Sequence, residues 1–180
     1  MFAPFVDFHA HTVRSDGMSI TRTEDMTIDT FPITETNRAD YNICKELLKH
    51  PEMFRLVFFN LPANEGLHLK YALINYWKGN VDWTCATASE FTTDLIAAIM
   101  SGSRPYDLAK YLEPEVLILD DAQHVAGKDA TQEELYIILK QRLEKKKVTV
   151  IFSELGMDRL RVAMRDELVP LLTMGIPEEF

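Results

Sequence analysis

Glycine is scarce in this chain, with seven in 180 residues. That scarcity limits where the backbone can turn left-handed or wrap closely around a bound anion. Cysteine is scarcer still. Cys44 and Cys85 lie far apart, each beside apolar residues. They read as buried thiols of a reducing compartment and exclude a disulfide-stapled scaffold. No apolar run approaches the ~20 residues that span a bilayer. The N-terminus has no basic segment leading into an apolar stretch, so neither a membrane contact nor a secretory signal is expected and the default address is cytoplasmic. Positive charge is also in deficit: 19 Lys and Arg stand against 28 Asp and Glu, a net charge of −9. This balance works against direct binding to double-stranded DNA, which needs clustered basic residues. The one dense basic run, Lys145-Lys146-Lys147, precedes an apolar strand and reads as a solvated turn.

What remains is ordinary globular material, 47% hydrophobic and 26% charged, of a length that suits one domain with one sizeable core. Residues 1–25 lack sustained periodicity and read as an extended arm; residues 26–180 read as the core domain. Asn37 can cap a helix running through Leu48. Leu56-Val57-Phe58-Phe59 is a short continuous apolar run, as in a buried parallel strand. A turn region over Asn60–Gly66 leads into a helix bearing Leu69, Ala72, Leu73 and Tyr76. Val81–Thr84 reads as a strand, and Ser89 as the cap of a helix with Phe91, Leu95, Ala98 and Ile99 on its apolar face. A short helix spans roughly Tyr106–Leu112. Val116–Leu119 is the strongest strand and ends in Asp120-Asp121. Thr131 with Glu134 forms a capping-box pattern ahead of a helix striped by Leu135, Ile138, Leu139 and Leu143. Val148–Phe152 is a further buried strand, followed by a short helix near Met157–Ala163. The apolar residues from Val169 to Met174 are expected to pack back onto the sheet. Strands alternating with helices predict an α/β fold, a parallel sheet with helices on both faces.

Ligands of such sheets gather at the carboxyl ends of the strands. Two places qualify here. The loop after the first core strand, Asn60–Leu67, is where a phosphate-binding loop belongs. Asp120-Asp121 end four apolar residues, an arrangement in which one carboxylate helps hold magnesium and its neighbour polarises water. A strand simply ending in solvated acids has the same appearance.

The stretch Leu117-Ile118-Leu119-Asp120-Asp121-Ala122-Gln123, followed by Gly127-Lys128-Asp129 and Thr131-Gln132-Glu133-Glu134, closely resembles the Walker B region of the bacterial DnaA replication-initiator family. Outlying pieces extend the resemblance from about residue 26 to the end. These are Thr27–Phe31, Asn37-Arg38, Ser89-Glu90-Phe91, Ser153-Glu154 at the sensor-1 place, Arg161, Arg165 and Pro177-Glu178. The resemblance implies a three-layer αβα parallel sheet of the P-loop NTPase (AAA+) type. It implies catalytic roles for Asp120 and Asp121, with Asp120 as the metal-holding residue. Arg165 takes the place of an arginine finger that reaches a neighbouring subunit's nucleotide; a plain surface arginine is the alternative. Asn60, Asn64, Gly66 and Ser153 fall where nucleotide-contacting residues are expected.

The departures weigh as much. Where the family carries a glycine-rich loop ending in Lys-Thr, this chain reads Asn60-Leu61-Pro62-Ala63-Asn64-Glu65-Gly66-Leu67. The lysine position falls on Gly66, the hydroxyl position on Leu67, and Pro62 removes an amide donor. Glu65 is expected beside the incoming anion, at a cost of about 4 kcal/mol for ~4 Å separation and an effective dielectric near 20. Lys70, a turn further on, is not expected to reach back. Ala130 stands where the family has a basic residue near single-stranded DNA. The chain ends at Phe180, ahead of where the family's small helical lid and DNA-reading domain follow, as in a truncated relative or a fragment.

The arm carries a separate pattern. Asp7-Phe8-His9-Ala10-His11-Thr12 with Ser15-Asp16-Gly17 resembles the first metal-binding motif of the PHP-type phosphoesterases. His9 and His11 share one side of an extended segment. The remaining histidines, His50, His68 and His124, are scattered.

Three functions therefore compete. The first is a DnaA-like module of replication initiation or its regulation, acting through contacts with replication proteins or a DnaA-like partner. It is not expected to be an active ATPase, and it would hold no cofactor or only weak ATP or ADP with Mg2+; self-association is open. The second is a working ATP-binding initiator or helicase-loader-type ATPase. The third is a metal-dependent phosphoesterase built on His9, His11 and Asp16.

Overall fold

The computed structural model describes residues 22–102 and 108–174. Their architecture is the α/β sandwich that the alternation predicts. Four parallel strands, β1 (Leu56–Asn60), β2 (Trp83–Thr87), β3 (Val116–Asp120) and β4 (Val148–Ser153), pair in the order β1-β4-β3-β2. In register, Asn60 lies beside Ser153 and Thr87 beside Asp120, so the polar strand ends gather at one edge of the sheet. All six residues of β4 are buried, which explains why the central strands read as unbroken apolar runs.

Side chains alternate between two cores. On one face, Val57, Phe59, Ile118, Val150 and Phe152 meet α1 (Arg38–Lys49) and α2 (Ala63–Trp77) through Leu47, Leu69 and Leu73. On the other, Phe58, Leu117, Leu119 and Ile151 meet four helices. These are α3 (Ala88–Ser101), the short α4 (Ala109–Leu112), α5 (Asp129–Glu144) and, beyond the single turn α6 (Met157–Leu160), α7 (Leu168–Thr173). Leu168 and Leu172 are buried there, so the tail packs back as expected, although Met174 is exposed.

Several boundaries differ from the sequence reading, each for a local reason. β2 runs from Trp83 to Thr87 rather than from Val81 to Thr84. The cap of α3 is Thr87, not Ser89: its hydroxyl accepts from the Glu90 amide at 3.1 Å, while its own amide donates to the Glu90 carboxylate at 2.7 Å. Asn37 does stand ahead of α1 but caps nothing; its side chain accepts from Thr34 N at 2.7 Å and donates to Pro32 O and Glu65. α5 begins at Asp129, and Thr131 is buried inside its first turn. Of the arm, residues 23–25 form one tight turn fastened by Asn75, whose amide donates to Thr23 O and Met26 O. His9, His11, Asp16, Pro177 and Glu178 lie outside the described residues.

Candidate functional site

The largest departure from the sequence reading is at the start of α2. The expected turn over Asn60–Gly66 is only Leu61 and Pro62, and the helix begins at Ala63. Pro62 is extended, with φ −54° and ψ 149°, and its carbonyl accepts from the amides of Glu65 at 3.0 Å and Gly66 at 2.9 Å. A proline ahead of a helix presets the entry angle. With no glycine between Asn60 and Glu65, nothing bends the chain into a wider arch. Gly66 is therefore a helical residue, buried, three residues into α2.

The ends of β2, β3 and β4 and the start of α2 open into one cavity of about 490 Å³. Ala63, Asn64, Gly66 and Leu67 line it from α2. Thr87, Asp120 with Asp121, and Ser153 with Glu154 line it from the ends of β2, β3 and β4. Lys70 also lines it, against expectation. Gly66 and Lys70 are four apart on a helix and so share a face. From there the Lys70 ammonium reaches across and pairs with the Asp120 carboxylate. Both side chains are mostly buried, 13% and 19% exposed. Burial alone would lower the Lys70 pKa, but the charge and the hydrogen bond of Asp120 outweigh it, and the pKa is raised above 10.5. A second cavity, of about 360 Å³, shares Leu67, Lys70, Thr87 and Asp120 with the first and continues past Tyr71 and Cys85. Burial pushes the Cys85 thiol up to about 12, and Cys44 rises too, so neither is a ready thiolate.

The two acids have different surroundings. The second Asp120 oxygen accepts from the Asp121 amide at 3.0 Å. Asp121 is left-handed, with φ 55° and ψ 41°, a conformation Asp tolerates better than most residues but which still costs free energy. Its carboxylate accepts from Gln123 at 3.1 Å, and the Gln123 carbonyl oxygen accepts from the Glu154 amide at 3.3 Å. The ends of β3 and β4 are thereby tied together. The cavity lining holds one ammonium against the carboxylates of Asp120, Asp121 and Glu154.

The remaining expected site residues divide. Asn64 and Gly66 line the cavity. Asn60 stands beside it, donating to Ser153 O at 3.1 Å. The Ser153 hydroxyl is engaged locally, donating to Leu155 O at 2.9 Å and accepting from Leu155 N at 3.0 Å. Glu65 faces away toward α1, where Asn37 donates to it at 3.1 Å, because its place in the helical turn is set by the early start of α2. It does not crowd the cavity as the sequence reading had it. Arg165 lies elsewhere, paired with Glu133 at 3.6 Å and Glu167 at 3.5 Å. Its amide donates at 2.6 Å to Gln132, a fully buried residue to which the sequence reading gives no role beyond the motif. Among the described residues no group of three or more His, Cys, Asp or Glu is placed to hold a metal. No described helix is long and apolar enough to cross a membrane.

Comparison with known proteins gives this chain a family. The family described as the bacterial DnaA ATPase domain matches residues 23–178. The chromosomal replication initiator DnaA of Rippkaea orientalis is 29% identical over 157 residues, covering 83% of this chain and 34% of that protein. Domain III of the Thermotoga maritima DnaA superposes with a TM-score of 0.78 at 25% identity, over 84% of this chain and 65% of that one. A replication initiator DnaA bound to AMPPCP and single-stranded DNA superposes with a TM-score of 0.76 at 25% identity, over 84% of this chain and 48% of that one. The chain spans about a third of the length of the curated relatives it matches. The parallel sheet is thus of the AAA+ P-loop type, and the chain belongs to the bacterial DnaA ATPase-domain family.

Proposed function

We propose that this chain is a DnaA-like module of replication initiation or its regulation that works through contacts with other replication proteins and has lost ordinary Walker-type nucleotide binding. The observation that carries this reading is the two-residue connection between β1 and α2. A phosphate cradle needs several backbone amides pointing into open space at a helix N-terminus. Here the amides of Glu65 and Gly66 already donate to Pro62 O. Gly66 and Leu67 supply neither an ammonium nor a hydroxyl. The carboxylates lining the cavity further oppose a triphosphate. A relative holds AMPPCP and single-stranded DNA; in this chain the same fold is proposed to serve as a contact surface. The net charge of −9 favours protein partners over double-stranded DNA.

The test is calorimetry of ATP and ADP with magnesium on the wild type and on Asp120→Ala. No binding at millimolar nucleotide is the expected result. Micromolar binding that Asp120→Ala abolishes would overturn the reading and assign the chain an ATP-switch role.

A further inference from the structure

Magnesium is the cation that a Walker B carboxylate usually meets, and the surroundings of Asp120 do not fit it. One Asp120 oxygen carries Lys70 and the other carries the Asp121 amide. The neighbouring Asp121 carboxylate accepts from Gln123. A magnesium ion keeps near-octahedral oxygen ligands and dehydrates reluctantly, and an ammonium already seated on the same carboxylate repels it. We propose that Lys70 is the resident cation of this site, holding the Asp120 carboxylate in place of a divalent ion, so that the cavity takes no free divalent metal. This inference rests on the reading of the site as idle toward nucleotides, but it concerns the metal alone.

The placement of Lys70 is built into the core. Its neighbours Leu69 and Leu73 are fully buried against Ile118 and Val150, which fixes the rotation of α2 about its axis. With α2 so fixed, position 70 is held over the end of β3. Ile118 and Asp120, two apart on β3, point to the same face. Asp120 is the acidic one of the pair, and Lys70 meets it with little solvent to screen the contact.

The probe is Mn2+ alone, followed by electron paramagnetic resonance on the intact chain, with folding checked by circular dichroism. Wild type is expected to bind Mn2+ no better than Asp120→Asn does. Lys70→Met keeps most of the apolar stem and is expected to bind Mn2+ at least about tenfold more tightly than wild type, since a full like charge leaves the site. The gain is expected to vanish in Lys70→Met/Asp120→Asn. Should Lys70→Met not fold, Lys70→Gln replaces it with the same expectation. Equal Mn2+ affinity in wild type and the folded Lys70 variant overturns the proposal, as does wild-type Mn2+ binding that Asp120→Asn removes. ATP binding by wild type without an Mn2+ site would refute the nucleotide reading and leave Lys70's role standing.

Discussion

Arg142 offers the sharpest test of how the sheet is held together. It is fully buried on α5, and among the described residues its donors go to carbonyls and a hydroxyl rather than to a carboxylate. Its Nε donates to the Thr149 hydroxyl at 2.9 Å, and its terminal nitrogens donate to Tyr111 O at 3.0 Å, Pro114 O at 3.0 Å and Val148 O at 2.5 Å. A further contact, to Glu115 O at 3.3 Å, matters less, since that carbonyl also accepts from Val148 N at 3.0 Å. Burial lowers the Arg142 pKa to about 10, against the smaller opposing influence of Glu115 and Glu113, yet the side chain stays cationic at neutral pH. Arg142→Met leaves the Tyr111 and Pro114 carbonyls without their donor, at ~1–3 kcal/mol each, while Val148 O keeps its place in the β3–β4 ladder. Relief of the guanidinium's desolvation offsets part of this. The net expectation is a loss of about 3 kcal/mol, a large share of the ~5–15 kcal/mol that holds a domain folded. Thr149→Val removes one of these bonds and is expected to cost about 1 kcal/mol. Urea titration followed by circular dichroism measures both. A loss below about 1 kcal/mol for Arg142→Met, with an unchanged slope, would refute the view that this side chain splices the α4–β3 connection to β4.

Three further outcomes follow from local geometry. Burial, with a smaller push from Glu65 and against a backbone hydrogen bond, raises the Asp40 carboxyl to about 6. The native state then keeps a proton that the unfolded chain releases, so stability falls as pH rises from about 4 to 6. Asp40→Asn should melt above wild type at pH 7.5, by about 1 kcal/mol after screening of this half-buried site or roughly 2–4 °C, and lose the advantage below pH 4. Thr87→Ala breaks the capping box of α3 and should cost ~1 kcal/mol in urea titration, with Thr87→Ser restoring most of it. Gly66→Ala should stabilise by ~0.5–1 kcal/mol, because the added methyl would lie 3.8 Å from Phe152 and 3.9 Å from Leu61; destabilisation would show that α2 does not hold this residue as described.

The fold was legible because its signals are collective. Runs such as Val116–Leu119 and stripes such as Leu135, Ile138 and Leu139 each state one period, and their alternation leaves few ways to stack the layers. The caps were less legible. Thr87 and Ser89 are both plausible caps by composition, and the choice falls to whichever hydroxyl has Glu three residues on, as Thr87 has Glu90. Asn37 reads as a cap until tertiary neighbours compete for its amide, as Pro32 and Glu65 do here. Arg142 and Gln132 were hidden, since a polar residue on a helix gives no sign that its acceptors are carbonyls of distant loops. Lys70 was missed for a subtler reason. Lying a full turn beyond the loop, position 70 is not expected to reach back to it, and the sequence does not show that the long side chain instead meets the end of β3.

Several features of the site lie along one helix. Starting α2 at Ala63 consumes the residues that would have formed a loop, and it closes the Glu65 and Gly66 amides on Pro62. The same start turns position 66 from a loop tip into a buried helical position against Phe152 and Leu61. One turn further along that face, position 70 arrives where β3 ends, and Asp120 is there to receive its charge. The short connection and the occupied carboxylate thus both involve α2, the first set by its start at Ala63 and the second by the burial of Leu69 and Leu73. Undoing either alone leaves the other intact. A glycine-rich loop rebuilt over residues 60–66 would still face an Asp120 that carries an ammonium. Removing Lys70 would free the carboxylate but leave the Glu65 and Gly66 amides bonded to Pro62 O.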